Sequence, residues 1–330
     1  MRPGAFTNTL DYVPHVVKFE VNIEEQEETF HIQDVPNKGK GLVAARPIRR
    51  GEFLFSETPL FTLPPSPTNS MVLGALAKCT REQQCEYFTL ANSYRKKLLP
   101  ALAIFETNFL LLGRGLLKAD PQAAESAGIF LQASRFNSSC TPNVNKIWDD
   151  LHGVMVFRTL RDVVEGEELC FNYCDVLATR EQRTRELSTE FGFDCICEAC
   201  CLEGEAALDS DRRRSSIARL FDEIGQCWKE PTLGIRKIQL ALCMLKEESL
   251  VHHEASFCYD AYQFCVSVSD FQNAKKWIRR AWEVSCITSG QDSNAARMFK
   301  IYYANPRSHQ LAALLPKMTL SGPDGVFQAA

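Results

Sequence analysis

A cluster of cysteines is the sequence feature that most restricts how this chain can fold. Cys195, Cys197 and Cys200 form a Cys-x-Cys-x-x-Cys segment, and Cys201 follows directly. Three thiolates at this spacing can converge on one tetrahedral Zn²⁺, and a closed structural site needs a fourth ligand. Cys201 is poorly placed to share a metal with its neighbour Cys200. A fourth ligand must therefore come from a distant part of the chain.

The alternative interpretation is that these cysteines are small buried hydrophobic residues. The expected redox compartment helps to choose between this interpretation and metal binding. The amino terminus lacks the apolar segment of a secretory signal, so we expect a reducing environment, in the nucleus and/or the cytoplasm. Clustered cysteines in such a compartment indicate metal binding more often than disulfides. No apolar run reaches the roughly 18 residues of a membrane span, so we expect no membrane association.

The charge of the chain argues against a nucleic-acid-binding protein. Lys and Arg total 37 and Asp and Glu total 41, a net charge of −4. A nucleic-acid-binding surface usually carries a basic excess. Nucleic-acid binding would be favoured by the run Arg212-Arg213-Arg214 beside the cysteine cluster. We interpret this run as a solvated surface. Nucleic acid is not an expected partner.

Alternating and helical hydrophobic patterns divide the chain into a mixed half and a helical half. Residues 1–34 are predicted to be a leader with strand character, and residues 70–133 to be helical. A glycine-rich turn at residues 37–45 is predicted to enter a strand, and a helix to be capped by Thr179. Further strands are predicted at residues 53–57, 154–157 and 168–173.

The half of the chain after residue 205 is predicted to be entirely helical. Ala274 and Ala281 lie seven residues apart, the small-residue spacing of tetratricopeptide hairpins. The pattern indicates two degenerate hairpins rather than a regular repeat of 34 residues.

Four ordered segments carry residues suited to chemistry. Each has an ordinary explanation by itself: a glycine turn supplies positive φ, and a tyrosine at a strand end is usually a core residue. The segments are Gly39-Lys40-Gly41-Leu42, Asn137-Ser138-Ser139-Cys140-Thr141-Pro142-Asn143, Gly166-Glu167-Glu168-Leu169 with Tyr173 four residues on, and Phe191-Gly192-Phe193 before the cysteines.

The order of these segments resembles a SET domain, and most closely the SET and MYND lysine methyltransferases. The resemblance implies an α+β fold of small twisted sheets with a pseudoknot, a helical insert, a post-SET zinc site and an all-α tetratricopeptide-like C-terminal domain. It implies these limits: leader 1–34, SET domain 35–180 with the insert at about 68–133, post-SET segment 181–204, helical domain 205–304 and tail 305–330.

The resemblance further implies an S-adenosylmethionine-dependent protein-lysine N-methyltransferase that acts on a histone or a non-histone protein. Tyr173 would be the active-site tyrosine, and it would line the substrate channel with Phe191. The implied cofactor-binding residues are Lys40, Gly41, Asn137, Ser138 and Phe193. The implied ligands of one structural zinc per chain are Cys140, Cys195, Cys197 and Cys200.

The sequence departs from the family pattern in four places. Ser138 stands where the family usually has histidine, Lys40 where relatives often have asparagine, and Phe191 where close relatives often have tyrosine. The missing hydroxyl at Phe191 predicts a roomier channel and a higher degree of methylation. The MYND zinc finger is absent, since residues 60–133 contain only Cys79 and Cys85, which we expect in helices.

A second hypothesis is that the chain is a catalytically weak SET scaffold. The reason for this hypothesis is that Ser138 replaces the histidine that the family usually has. The helical C-terminal domain would then bind a peptide or protein partner on its concave face. The presence of Tyr173, Asn137 and the cysteines favours the enzyme.

Overall fold

The computed structural model describes residues 28–113 and 126–327. The first 27 residues of the predicted leader, with the strand pattern at residues 16–23, lie outside this range. The described part of the leader already belongs to a sheet, because Phe30–Val35 pairs with Gly39–Ala44 over six positions. The first sheet therefore begins before residue 35.

Ten strands lie among the described residues up to position 171. They are β1 (Phe30–Val35), β2 (Gly39–Ala44), β3 (Phe53–Glu57), β4 (Phe61–Leu63), β5 (Leu110–Leu112), β6 (Ser126–Ile129), β7 (Asn137–Ser138), β8 (Val144–Asp149), β9 (Val154–Thr159) and β10 (Glu168–Phe171).

The described residues also contain ten α-helices. They are α1 (Asn69–Leu76), α2 (Arg81–Tyr87), α3 (Pro100–Asn108), α4 (Arg180–Glu186), α5 (Gly204–Gln226), α6 (Pro231–Glu247), α7 (Glu254–Ser267), α8 (Phe271–Ser289), α9 (Asn294–Ala304) and α10 (Asp324–Phe327).

The strands form three small sheets, which confirms the predicted α+β class. Their orders are β1-β2-β10-β7, β3-β9-β8 and β4-β6-β5. All pairs are antiparallel except β10 with β7, which run parallel. This parallel pair places Asn137 beside Cys170 and Ser138 beside Phe171, so it joins two of the four sequence segments.

The prediction that residues 70–133 are helical was wrong toward the end of this range. Helix α3 begins at Pro100 and ends at Asn108, and β5 and β6 follow as an antiparallel pair. Phe109 is already extended, with ψ 145°. A run of consecutive leucines is compatible with either a helix or a strand. Here the leucines form a strand because they pair with β6. Cys85 lies in α2 as expected, whereas Cys79 lies just after α1.

The C-terminal region is helical, as predicted. Neighbouring helices α7, α8 and α9 pack on one another in chain order, and α5 and α6 extend the stack. Ala274 and Ala281 are fully buried in its core. A Cβ on Gly234 would lie 2.5 Å from the ring of Phe264, so close contact between α6 and α7 requires glycine there. None of the described helices is both long enough and apolar enough to cross a bilayer.

Candidate active site and metal centre

The four predicted zinc ligands meet at one point. The sulfur atoms of Cys140, Cys195, Cys197 and Cys200 all lie within 4.8 Å of one another, and those of Cys140 and Cys200 are 3.6 Å apart. Tetrahedral Zn–S bonds of about 2.3 Å place sulfurs about 3.8 Å apart, so the cluster fits Zn²⁺. Cys201 is exposed, and its thiol faces the carbonyl of Ile196 instead.

Local turns bring these cysteines together. Cys197 precedes a 3-10 turn at Glu198–Cys200, so the thiols of Cys197 and Cys200 lie one turn apart in the cluster. Cys140 lies in the loop after β7. This loop is fixed by a hydrogen bond in which the N–H of Ser139 donates to the carbonyl of Phe171 at 3.0 Å. The four-cysteine cluster therefore joins the segment of Asn137 to the segment of Phe193.

A buried arginine supports the thiolates electrostatically. The guanidinium of Arg183 has no exposed surface, lies 4.0 Å from the sulfur of Cys200 and donates to the carbonyl of Ala178 at 2.6 Å. Four thiolates and one Zn²⁺ carry a net charge of about −2, which a nearby cation offsets. The thiol of Cys140 and the other neighbouring thiols, by hydrogen bonding, lower the pKa of the Cys197 thiol.

The predicted cofactor-binding residues Gly41 and Asn137 meet at the carboxylate of Glu168. The side-chain amide of Asn137 donates to Glu168 at 2.7 Å, and Lys38 forms an ion pair with the same carboxylate at 2.6 Å. A Cβ on Gly41 would lie 3.0 Å from both Asn137 and Glu168, and 2.6 Å from Val35. Only glycine fits at position 41 without displacing the side chains of Val35, Asn137 and Glu168.

Lys40 and Ser138 contribute to this region differently from what their motifs suggest. The Lys40 side chain is exposed and pairs with Asp34 at 2.9 Å, while its carbonyl accepts from Asn137 at 3.3 Å. Ser138 is buried, and its hydroxyl accepts from the N–H of Tyr173 at 3.3 Å. Ser138 therefore holds the backbone of Tyr173.

Tyr173 lies at the centre of an aromatic cluster. Its ring centroid is 4.8 Å from that of Phe191 and 6.5 Å from that of Phe193, which it meets edge-on. Its hydroxyl donates to the carbonyl of Phe136. Burial raises the pKa of this phenol, so it is neutral at physiological pH. A π-helical turn at Leu187–Phe191 carries Phe191 to the cluster, a local feature often found at functional sites.

A cleft of about 430 Å³ opens against this cluster. Tyr173 and Phe191 form part of its wall. The acidic side chains around it are Glu106, Glu186 and Glu190, and the basic one is Lys146. Such a mixture of apolar walls and a few charged groups is typical of a binding site.

Sequence analysis missed three residues of this region. Glu168 belonged to a quoted motif, which was a signal, but it received no role. Arg183 and Lys146 carried no signal, since a single basic residue in a polar stretch is usually solvated. Their roles follow from contacts with segments far away in the sequence.

Of the arginine run, Arg212 is exposed as expected, whereas Arg213 and Arg214 are not part of a solvated surface. Arg214 is fully buried, pairs with Glu248 at 2.7 Å, and donates to the carbonyls of Cys140 at 3.1 Å and Val176 at 2.6 Å. Arg213 pairs with the same Glu248 at 2.6 Å. Because Arg213 and Arg214 pair with Glu248, their charges are not available to bind the phosphates of a nucleic acid. Instead, Arg214 connects α5 to the loop that carries Cys140.

Arg214→Leu is expected to lower the free energy of unfolding by about 3 kcal/mol, because it removes one partner of a buried ion pair. Urea unfolding measures the change. The matched control is Arg212→Leu, where the side chain is 65% exposed and paired only at the surface; its expected effect is below about 1 kcal/mol. Equal effects of the two substitutions would contradict the assignment of Arg214.

Comparison with known proteins agrees with this geometry. Residues 39–174 match the SET domain family. The chain is 28% identical to "Histone-lysine N-methyltransferase set5" of Schizosaccharomyces pombe over 296 residues, 89% of each chain. It is 29% identical to "Histone-lysine N-methyltransferase SMYD3" of Homo sapiens over 144 residues, 43% of this chain and 31% of that protein.

A third relative matches a shorter segment. "Putative SET domain-containing protein L678" of Acanthamoeba polyphaga mimivirus is 39% identical over 74 residues, 22% of this chain and 28% of that protein. The fold and the comparisons define a SET-domain protein with a helical C-terminal region. Within that class, the chain resembles the SET and MYND lysine methyltransferases.

Proposed function

We propose that this protein is an S-adenosylmethionine-dependent protein-lysine N-methyltransferase. The observation that carries the proposal is the meeting of Tyr173, Phe191 and Phe193 beside one cleft, next to a four-cysteine centre. The relatives named histone-lysine N-methyltransferases support the reaction class. They are also the reason to propose a protein substrate and a nuclear and/or cytoplasmic location.

The residues present suit the cofactor. The amide of Asn137 and the carboxylate of Glu168 offer hydrogen-bonding groups beside the carbonyl of Lys40 and the Cα of Gly41, which carries no side chain. Phe193 offers an aromatic face. These residues, with the backbone of Ser138, would hold S-adenosylmethionine, which supplies a methyl group on a positively charged sulfur.

The side chains around the cleft would prepare the acceptor lysine. A free lysine has a pKa near 10.4 and must become neutral before it can attack. The apolar walls of Phe191 and Tyr173 strip water from the ammonium, which lowers its pKa. The hydroxyl of Tyr173 would orient the amine. We assign it no role as a base, because its raised pKa keeps it protonated.

The metal centre would be structural. The fit of four sulfurs leaves no open position for substrate, in contrast to a catalytic zinc site. By binding Cys195 and Cys197, Zn²⁺ would fix the adjoining segment of Phe191 and Phe193 against Tyr173.

The test is transfer of a radiolabelled methyl group from S-adenosylmethionine to proteins of a cell extract. Labelled bands that depend on Tyr173 would support the methyltransferase, and they would provide the substrates. Absence of label together with absence of cofactor binding by calorimetry would favour the scaffold, with a partner on the helical domain.

Phe191 is expected to permit di- or trimethylation, because its ring leaves room that a tyrosine hydroxyl would fill. Phe191→Tyr should shift the product toward monomethyl-lysine while transfer continues. Mass spectrometry of a modified peptide measures the distribution. A strictly monomethyl product from the wild type would contradict the prediction.

A further inference from the structure

A lysine of the protein itself lies in the acceptor cleft. Lys146, on β8, lines the same cavity as Tyr173 and Phe191. Its ammonium nitrogen donates to the carbonyl of Asn172 at 2.9 Å and lies 4.1 Å from the centroid of the Phe171 ring. The amine is therefore held between a carbonyl and an aromatic face.

No carboxylate among the described residues lies within 4.0 Å of this amine. The three acids of the cleft do not pair with it, and Glu190 instead accepts from the hydroxyl of Tyr94 at 2.5 Å. Desolvation of an ammonium that has no carboxylate partner favours its neutral form, and it outweighs the opposing charge of Cys174. In agreement, burial lowers the pKa of Lys146 to about 8.

The phenols and carboxylates near Lys146 are poorer proton acceptors for an amine. Tyr173 has a raised pKa, and burial raises the pKa of Tyr94 to about 12, so both phenols stay protonated. Carboxylates are weak bases toward an ammonium. Two titratable groups interact with Lys146 through their charge, Cys174 after β10 and His252 before α7. The others line the same cleft: Tyr173 after β10, Tyr94 and Glu106 from the insert, Glu186 at the end of α4 and Glu190 after it. The partner of Lys146 on β9, Phe157, does not titrate.

We propose that Lys146 accepts the proton that the acceptor lysine must lose, an inference that rests on the proposed methyltransferase function. An N–H bond of the acceptor ammonium breaks, and its proton bonds to the lone pair of Lys146 Nζ. The acceptor nitrogen keeps the electron pair with which it attacks. Lys146 then releases the proton to water at the mouth of the cleft. A base with a pKa near the working pH suits such a transfer.

The first test needs neither cofactor nor substrate. Competitive labelling of the intact protein with acetic anhydride over a range of pH, read by mass spectrometry, gives the pKa of each lysine. Lys146 is expected to titrate about two pH units below the value of about 10.4 for a free lysine. A pKa of about 10 or higher for Lys146 would overturn the proposal.

The second test is the pH profile of methyl transfer. Because Lys146 must be neutral to accept a proton, wild-type activity should fall as the pH drops below about 8. Lys146→Met should lose about a hundred-fold at pH 7.5 and recover above about pH 10, where the acceptor lysine loses its proton unaided. Lys146→Gln provides a second neutral variant, and Lys300→Met is the matched control with an unchanged profile.

The outcomes are distinguishable. A Lys146→Met profile that coincides with the wild-type profile would overturn the role of Lys146 and leave the methyltransferase proposal standing. A wild type that transfers no methyl group at any pH would overturn both, whatever pKa the labelling gives.

Discussion

Tyr173→Phe is expected to reduce the rate of methyl transfer by about a hundred- to a thousand-fold, the usual cost of removing one hydrogen-bond group from a reacting centre. The substitution keeps the ring and its contacts with Phe191 and Phe193. It removes only the hydroxyl, which donates to the carbonyl of Phe136 and would orient the acceptor amine. Binding of S-adenosylmethionine should therefore remain largely intact.

The transfer assay and calorimetry with the cofactor measure these two effects separately. Tyr262→Phe is a matched control, because its hydroxyl also donates to a backbone carbonyl, that of Pro306 at 3.2 Å, but within the helical region. It should leave transfer unchanged. Full activity of Tyr173→Phe would remove the tyrosine from the mechanism.

Cys197→Ser is expected to abolish stoichiometric zinc binding and to lower the free energy of unfolding by about 5 kcal/mol. Structural zinc contributes binding energy of about 10–16 kcal/mol to small sites, part of which a three-cysteine remnant retains. Loss of the metal should also release the segment of Phe191 and Phe193 from Tyr173. Activity should therefore fall together with stability.

Metal content by mass spectrometry of the purified protein, with urea unfolding, measures both effects. Cys201→Ser is the matched control, since this thiol is next in sequence but exposed and directed away from the cluster. It should keep one zinc per chain. The same stoichiometry in Cys197→Ser would exclude that cysteine as a ligand.

Much of the fold could be predicted because its signals are local. Thr179 caps α4 through a reciprocal hydrogen bond with Gln182, as its sequence spacing indicates. The strand at Phe53–Glu57 and the C-terminal helices also follow short-range hydrophobic patterns. The strand at Leu110–Leu112 could not be predicted in this way, since its partner, β6, lies beyond an intervening segment.

The candidate site divides in the same way. The metal ligands and the residues around Tyr173 were assigned through motifs, and the structure brings the four cysteines within contact distance. The domain limits and the roles of the individual site residues remain predictions that the experiments above address. The side-chain direction of Lys40, toward Asp34 rather than Asn137, appears in no motif.

The sequence by itself determined the order of the chemical segments, the class of fold and the residue types that could bind a metal. Only the tertiary structure decided which charges are buried. Arg214 meets Cys140 across 74 positions of sequence, and the amine of Lys146 meets the carbonyl of Asn172 across 26. The physical reason is that solvation and pairing depend on what surrounds a charge in space, and for these residues the surroundings come from distant segments of the chain.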